Sequence, residues 1–243
     1  MRTYLVAIFL VIFTPLTVLG VLLGRVISRG CSSGVRRLWA RGILFSAGLP
    51  CRIRGRENIE TRGPYVVVAN HASMLDIPIC ASALPLSLLF VSRPFFFKVP
   101  FLGWGMSLLS DVRLDPKKPR QAARVLRTLH TRFDLGLSLL LFPEGTRSPD
   151  GKVKRYKRGP FLTAIENQVP ILPVCIEGVH EALPKRTLRV RPRTLGFTIG
   201  KPIPTEGLKR PDARALAQRV EDWTRSVQSV PDTGLTQSVS GTD

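Results

Sequence analysis

The stretch V-V-V-A-N-H-A-S-M-L-D, Val66–Asp76, places four consecutive β-type apolar residues directly before a histidine and a carboxylate five positions apart. A short apolar run of this kind reads as a buried strand over Tyr65–Asn70, with a helix over Ser73–Ala83 entered through the polar residues. A second stretch has the same form: S-L-L-L-F-P-E-G-T-R-S, Ser138–Ser148, predicts a buried strand over Ser138–Phe142 ending in a polar loop. Strands are also expected at Leu88–Ser92, Ser110–Leu114 and Ile171–Ile176, the last interrupted by Pro173. Helices are expected at Arg120–Phe133, Phe161–Asn167 and Asp212–Val227. Leu188–Arg193 and Gly196–Gly200 read as a hairpin. Strands alternating with helices predict an α/β sandwich, and the hairpin predicts a mixed sheet.

The polar residues at the two strand ends suggest chemistry. In α/β folds ligands gather at strand ends, which favours a functional reading of His71 over a structural one. Asp76 on the following helix can return its carboxylate to the ring, fixing the tautomer and stabilising the imidazolium that forms when the ring takes a proton. No G-x-S-x-G elbow occurs, and Ser73 has no independent claim as a nucleophile. A His–Asp base without an enzyme nucleophile requires the substrate to bring one, and a hydroxyl does so. In the second loop Gly145 allows close backbone approach and Thr146 offers a hydroxyl. Arg147 can grip two phosphate oxygens at once. Glu144 cannot favour a phosphate directly; it is expected to accept from a substrate hydroxyl or to hold Arg147.

Charge and cysteines narrow the setting. The 243 residues carry 36 Lys plus Arg against 17 Asp plus Glu, a formal charge of +19, which implies an anionic partner. No aromatic-basic nucleic-acid motif is present, so nucleic acid is not expected. Cys31, Cys51, Cys80 and Cys175 are scattered without a C-x-x-C pair, so neither a zinc site nor a disulfide framework is expected. Lys152, Lys154, Arg155, Lys157 and Arg158 directly follow the second loop, placed to meet an anionic partner.

From Tyr4 to Gly24 the chain holds 21 residues without a charge. As a helix they reach roughly 30 Å, about one bilayer hydrocarbon thickness. Arg25, Arg29, Arg36, Arg37 and Arg41 follow, interleaved with Val35, Leu38, Trp39, Ile43, Leu44 and Phe45, a pattern suited to a membrane interface. Residues 1–50 are therefore expected to anchor the protein to a phospholipid membrane, as a span or a hairpin. The positive bias places the catalytic part, 51–230, on the cytoplasmic side. The Ser/Thr/Gly-rich residues 231–243 are expected to be a disordered tail.

Together the motifs resemble those of the glycerolipid acyltransferase family, the 1-acylglycerol-3-phosphate acyltransferases in particular. N-H-x-S-x-x-D is matched at Asn70, His71, Ser73 and Asp76, and F-P-E-G-T-R-S at every position. K-V-P-F-L-G-W at Lys98–Trp104 and V-P-I-L-P-V-C-I-E-G at Val169–Gly178 match two further blocks. The resemblance implies a mixed, mostly parallel sheet flanked by helices. It also implies His71 and Asp76 as the catalytic pair, with Glu144, Gly145, Thr146, Arg147 and Lys98 on the acceptor side. The donor it implies is acyl-CoA or acyl carrier protein, consumed as a substrate, with no metal and no further cofactor. The acceptor is lysophosphatidate, or another lysolipid such as a lysophospholipid or lyso-ornithine lipid. The family's isoleucine-aspartate-arginine is replaced here by Leu114-Asp115-Pro116, leaving Arg113, Lys117 and Lys118 as candidates for the missing charge. A nonenzymatic basic lipid-binding protein is the reading from another class, and it leaves His71 and Asp76 unexplained.

Overall fold

The computed structural model describes residues 1–59, 63–115, 125–126 and 129–229. Its strands are β1 (Cys51–Arg54), β2 (Val66–Ala69), β3 (Leu88–Ser92), β4 (Val112–Arg113), β5 (Ser138–Leu141), β6 (Ile171–Glu177) and β7 (Leu195–Ile199). They form one seven-stranded sheet in the order β1-β7-β6-β2-β5-β3-β4. Strands β2 to β6 run parallel to one another, so their C-terminal ends share one edge. β7 is antiparallel to β6 and β1 is parallel to β7, so the sheet is mixed.

The helices are α1 (Arg2–Ile27), α2 (Arg29–Ala47), α3 (Asp76–Ala83), α4 (Leu102–Leu108), α5 (His130–Phe133), α6 (Gly159–Asn167), α7 (Val179–Ala182) and α8 (Ala213–Ser229). Every residue of β2 is fully buried because alternate side chains enter different cores. Val67 and Ala69 pack with Ile43 and Leu44 of α2 and Ile79 of α3. Val66 and Val68 pack with Phe161 and Ile165 of α6 and with Leu216 and Val220 of α8. The expected α/β sandwich is present, and the apolar residues of Asp212–Val227 do face inward.

Several local expectations are corrected. Leu188–Arg193 forms no strand; the sheet is mixed because β7 pairs with β6 and β1, and β1 itself carries no strong sequence signal. Pro173 does not interrupt β6. It sits opposite Val68, and its carbonyl accepts from Gly200 N–H at 2.9 Å, just past the end of β7. The helix expected from Ser73 begins at Asp76, because the N–H groups of Ala72 and Ser73 turn to the Asp76 carboxylate and Leu75 N–H turns to Ser73 Oγ. Of the helix expected over Arg120–Phe133, the described residues are Val125, Leu126 and 129–133, with His130–Phe133 forming α5. Its remainder, Lys117, Lys118 and residues 231–243 lie outside the described residues.

α1 and α2 form an antiparallel hairpin reversing at Ser28, whose Oγ caps α2 by accepting from Cys31 N–H at 3.1 Å. Close packing uses small residues: a Cβ on Gly42 would stand 2.2 Å from the Phe9 ring. Trp39 Nε1–H donates to Thr14 Oγ1 at 3.2 Å. The outward side of α1 stays exposed and apolar, with Val11 at 74% exposure. α1 is long and apolar enough to cross a bilayer by length and composition.

One member of the arginine series behaves unexpectedly. Arg36 does not face outward; it is buried and pairs with Asp111 Oδ1 at 3.0 Å. It also donates to the Leu88 carbonyl and lies over the Phe90 ring, 4.5 Å from the centroid. Asp111 Oδ1 accepts in addition from Phe90 N–H at 2.9 Å. Burial pushes the Asp111 carboxyl up and the Arg36 charge pulls it back. The pair fastens the hairpin to the β3 side of the sheet. Asp111→Ala should destabilise the detergent-extracted protein by about 3–5 kcal/mol, because it strands a buried guanidinium. Arg36→Met with Asp111→Leu should cost clearly less in the same denaturant titration, since no charge is then left unpaired.

Candidate active site

β2 and β5 are parallel neighbours, so the residues following Ala69 and Leu141 emerge side by side. Asn70 extends the sheet beyond β2: its Nδ2–H donates to Ile176 O at 2.8 Å and its Oδ1 accepts Ile176 N–H at 2.7 Å. A side-chain amide here acts as one more rung of the β2–β6 ladder and fixes where the next residue stands.

That residue is His71. Its Nδ1 lies 2.7 Å from Asp76 Oδ2, and the same oxygen accepts from Ala72 N–H at 2.8 Å and Ser73 N–H at 2.9 Å. Asp76 is fully buried at the first turn of α3, where the helix dipole favours its charge. A carboxylate at Nδ1 selects the tautomer with the proton there and leaves the Nε2 lone pair free. The His71 side chain is 18% exposed. Phe142 stacks on the imidazole, with centroids 4.1 Å apart and planes at 17°, so the ring cannot swing. The same aromatic face would support an imidazolium. Ser73 Oγ donates to Leu183 O at 2.9 Å and is fully buried, so it is committed to structure.

The second loop clamps the peptide of His71 from both sides. His71 N–H donates to Glu144 Oε1 at 2.8 Å, and His71 O accepts from Ser148 N–H at 2.7 Å. Glu144 is buried, so its first partner is the histidine backbone, not Arg147 or the open face of the site. Burial raises its pKa to about 7, against hydrogen bonds from the His71 and Lys154 backbones. Gly145 and Thr146 are exposed and Arg147 is half-buried. Gly145 has φ 72°, and a Cβ there would meet Lys157 Nζ at 2.8 Å, so an ammonium stands directly against its backbone.

Lys185, which had no sequence signal, reaches from the β6–β7 connection and donates to the Arg147 carbonyl at 3.1 Å. Lys154 approaches the same oxygen at 3.4 Å. Two ammonium groups therefore flank the backbone of Arg147, and a loop rich in donors is assembled beside His71. Lys98 and Arg113 lie at the same edge of the sheet but farther along it. Lys98 is exposed, while Arg113 stacks on Phe97 at 4.7 Å, two strands from β5. Among the described residues no cluster of three or more His, Cys, Asp or Glu side chains could hold a metal ion, and the four cysteines are free thiols.

The match to known proteins covers this arrangement. The family model described as Acyltransferase matches residues 50–177, from the start of β1 to the end of β6. The chain belongs to the acyltransferase family. Among its members, the 1-acyl-sn-glycerol-3-phosphate acyltransferase of Limnanthes douglasii is 29% identical over 189 residues, covering 77% of this chain and 64% of that one. The human 1-acyl-sn-glycerol-3-phosphate acyltransferase alpha is 30% identical over 187 residues, covering 76% and 66%. This acyltransferase-family chain thus spans just under two thirds of the length of those relatives. The crystal structure of the 1-acyl-sn-glycerophosphate (LPA) acyltransferase PlsC from Thermotoga maritima superposes with a TM-score of 0.79 at 27% identity, covering 93% of this chain and 91% of that one.

Glu144 makes stability pH-dependent in a predictable direction. Its folded pKa of about 7 lies above the ordinary 4.5, so the folded state holds the proton more tightly. Its favourable contribution is complete below about pH 4.5 and is lost as pH rises through about 7. Glu144→Gln keeps an acceptor oxygen for His71 N–H and cannot ionise. The wild type should therefore lose stability relative to this variant as pH rises across that window, measured by paired denaturant titrations.

Proposed function

We propose that this chain is a membrane-bound O-acyltransferase that moves an acyl group from acyl-CoA or acyl carrier protein to the free hydroxyl of 1-acylglycerol-3-phosphate, giving phosphatidate. The observation that carries the reading is the His71–Asp76 pair, with the second ring nitrogen free, opening beside the donor-rich loop at residues 145–147. The names of the two relatives support the acceptor, since each names 1-acyl-sn-glycerol-3-phosphate.

His71 Nε2 takes the hydroxyl proton as the oxygen attacks the thioester carbonyl, and Asp76 stabilises the imidazolium that results. The carbon–sulfur bond breaks as the carbonyl re-forms, and the imidazolium returns its proton to the thiolate. Every atom is accounted for without an enzyme nucleophile. The Arg147 guanidinium, Thr146 hydroxyl and backbone at Gly145 hold the phosphate, with Lys154, Lys157 and Lys185 adding charge. The buried Glu144 positions His71 through its backbone and leaves phosphate binding to these donors.

The exposed apolar helix α1, about 39 Å long, anchors the protein in the bilayer, and the basic bias after it sets the catalytic part on the cytoplasmic side. Intact protein should stay with membranes through high salt and carbonate; release by carbonate would refute insertion.

In purified protein, His71→Ala should lower transfer 10²–10⁴-fold, the usual contribution of a general base, while leaving the unfolding curve little changed. Near-normal turnover would sink the mechanism. Arg147→Lys keeps the charge but loses the planar two-point grip, so acceptor KM should rise with donor KM little affected. A shift confined to donor KM would move Arg147 to the thioester side. An acceptor panel with labelled donors, read by product lipid identity, tests lysophosphatidate against other lysolipids.

A further inference from the structure

A concave surface lies at the β1 edge of the sheet, opposite β4. A groove of about 520 Å³ runs between the C-terminal half of α2 and the edge strand β1, floored by Leu44, Leu49 and Ile53 and rimmed by Arg2, Arg41 and Arg56. β1 is three strands from β2, so the groove is about 14 Å from the histidine strand. It belongs to neither the acceptor loop nor the His–Asp pair.

The elements that form it carry charge of one sign, and the acid next in sequence is the exposed Glu57 beside Arg56. Residues 1–56 contain nine arginines and no acidic residue, so neither α1, α2 nor β1 can supply a counter-charge. Among the described residues no ion pair forms at Arg2, Arg41 or Arg56, and all three are exposed. Arg2 is brought in by the hairpin, its Nε close to Gly48 at the end of α2. Arg37 stands near Arg41 and adds a like charge. Phe45, 86% exposed, stands beside the groove one turn from Arg41. Guanidinium groups around an apolar floor match one class of ligand, an amphiphile with an anionic head and a hydrocarbon body.

We infer that this groove holds an anionic phospholipid taken from the surrounding bilayer, with its phosphate among Arg2, Arg41 and Arg56 and an acyl chain along Leu44, Leu49 and Phe45. The inference rests on the proposed insertion of α1, which brings the groove to the lipid headgroups. The site selects lipid by head charge, and it acts outside the acyl-transfer site.

The test uses full-length protein in nanodiscs of phosphatidylglycerol and phosphatidylcholine in equal amounts, with retained lipid identified by native mass spectrometry. Wild type should retain phosphatidylglycerol in preference. Arg41→Gln with Arg56→Gln should reduce the preference about fivefold for each arginine removed, a factor of the size one arginine contributes at an anionic surface. Phe45→Asp, which leaves the arginines in place but puts an acid beside them, should reduce it as well. Both variants should keep wild-type turnover on a soluble short-chain acceptor in detergent. Equal retention of the two lipids by wild type, or unchanged preference in both variants, would overturn the inference while leaving the insertion reading intact. Displacement of phosphatidylglycerol by excess inorganic phosphate would also overturn it, marking a site for soluble anions. Release of wild type by carbonate would bring down the insertion reading and the inference together.

Discussion

The parallel pairing of β2 with β5 on one side and β6 on the other is the constraint from which the site follows. Three strand ends in one row bring together segments far apart in the chain: Asn70–Asp76, Phe142–Ser148 and the connection that carries Lys185. Each tie between them uses a polar group that would otherwise be stranded at the end of a buried strand. Asn70 completes the ladder to β6, and the peptide of His71 is satisfied by Glu144 and Ser148. The hydrogen bonds that close the sheet edge are therefore the same ones that hold the imidazole still. Folding and preorganisation are one set of contacts here, not two.

Local signals were enough for the parts of this arrangement that depend on local physics. The doubly buried β2 and β5 show as unbroken apolar runs, and the reach from His71 to Asp76 is set by the first turn of a helix. Long-range pairing left weaker traces. β1 has an alternating half-exposed pattern on the sheet edge, with Ile53 only partly covered, so four residues of C-R-I-R look like an ordinary linker. The alternating arginines before β7 suggested a hairpin, but that segment lies outside the sheet and β7 finds its partners in β6 and β1. The sequence suggests that Glu144 accepts from a substrate hydroxyl or holds Arg147. Only the three-dimensional adjacency of β2 and β5 reveals that the carboxylate points back at the histidine. Lys185 was invisible for the same reason, since its tie to Arg147 spans 38 positions.

The basic excess divides into groups with different physical roles. Arg36 is spent inside the protein on Asp111 and the Leu88 carbonyl, where its value depends on keeping both partners. Lys154, Lys157 and Lys185 crowd the loop beside His71, where their like charges repel one another. Arg2, Arg25 and Arg41 of the hairpin and Arg52 and Arg54 of β1 are exposed. A uniform reading of +19 as one surface property would miss that these groups respond differently to salt: the buried pair hardly, the exposed ones strongly.

The hairpin is welded to the sheet, not tethered to it. Arg36 is locked at the β3 side, and at the other end of α2 the chain passes into β1 within four residues of Ala47. No stretch long enough to act as a swivel lies between α2 and the first strand. If α1 sits in the bilayer, the height of His71 above the lipid surface is then a fixed dimension of the molecule. The protein cannot lean toward the lipid; under the proposed function a lysolipid would have to rise partly out of its leaflet or slide in along the protein, and the length of that rise would be a measure that the scaffold imposes on what can react.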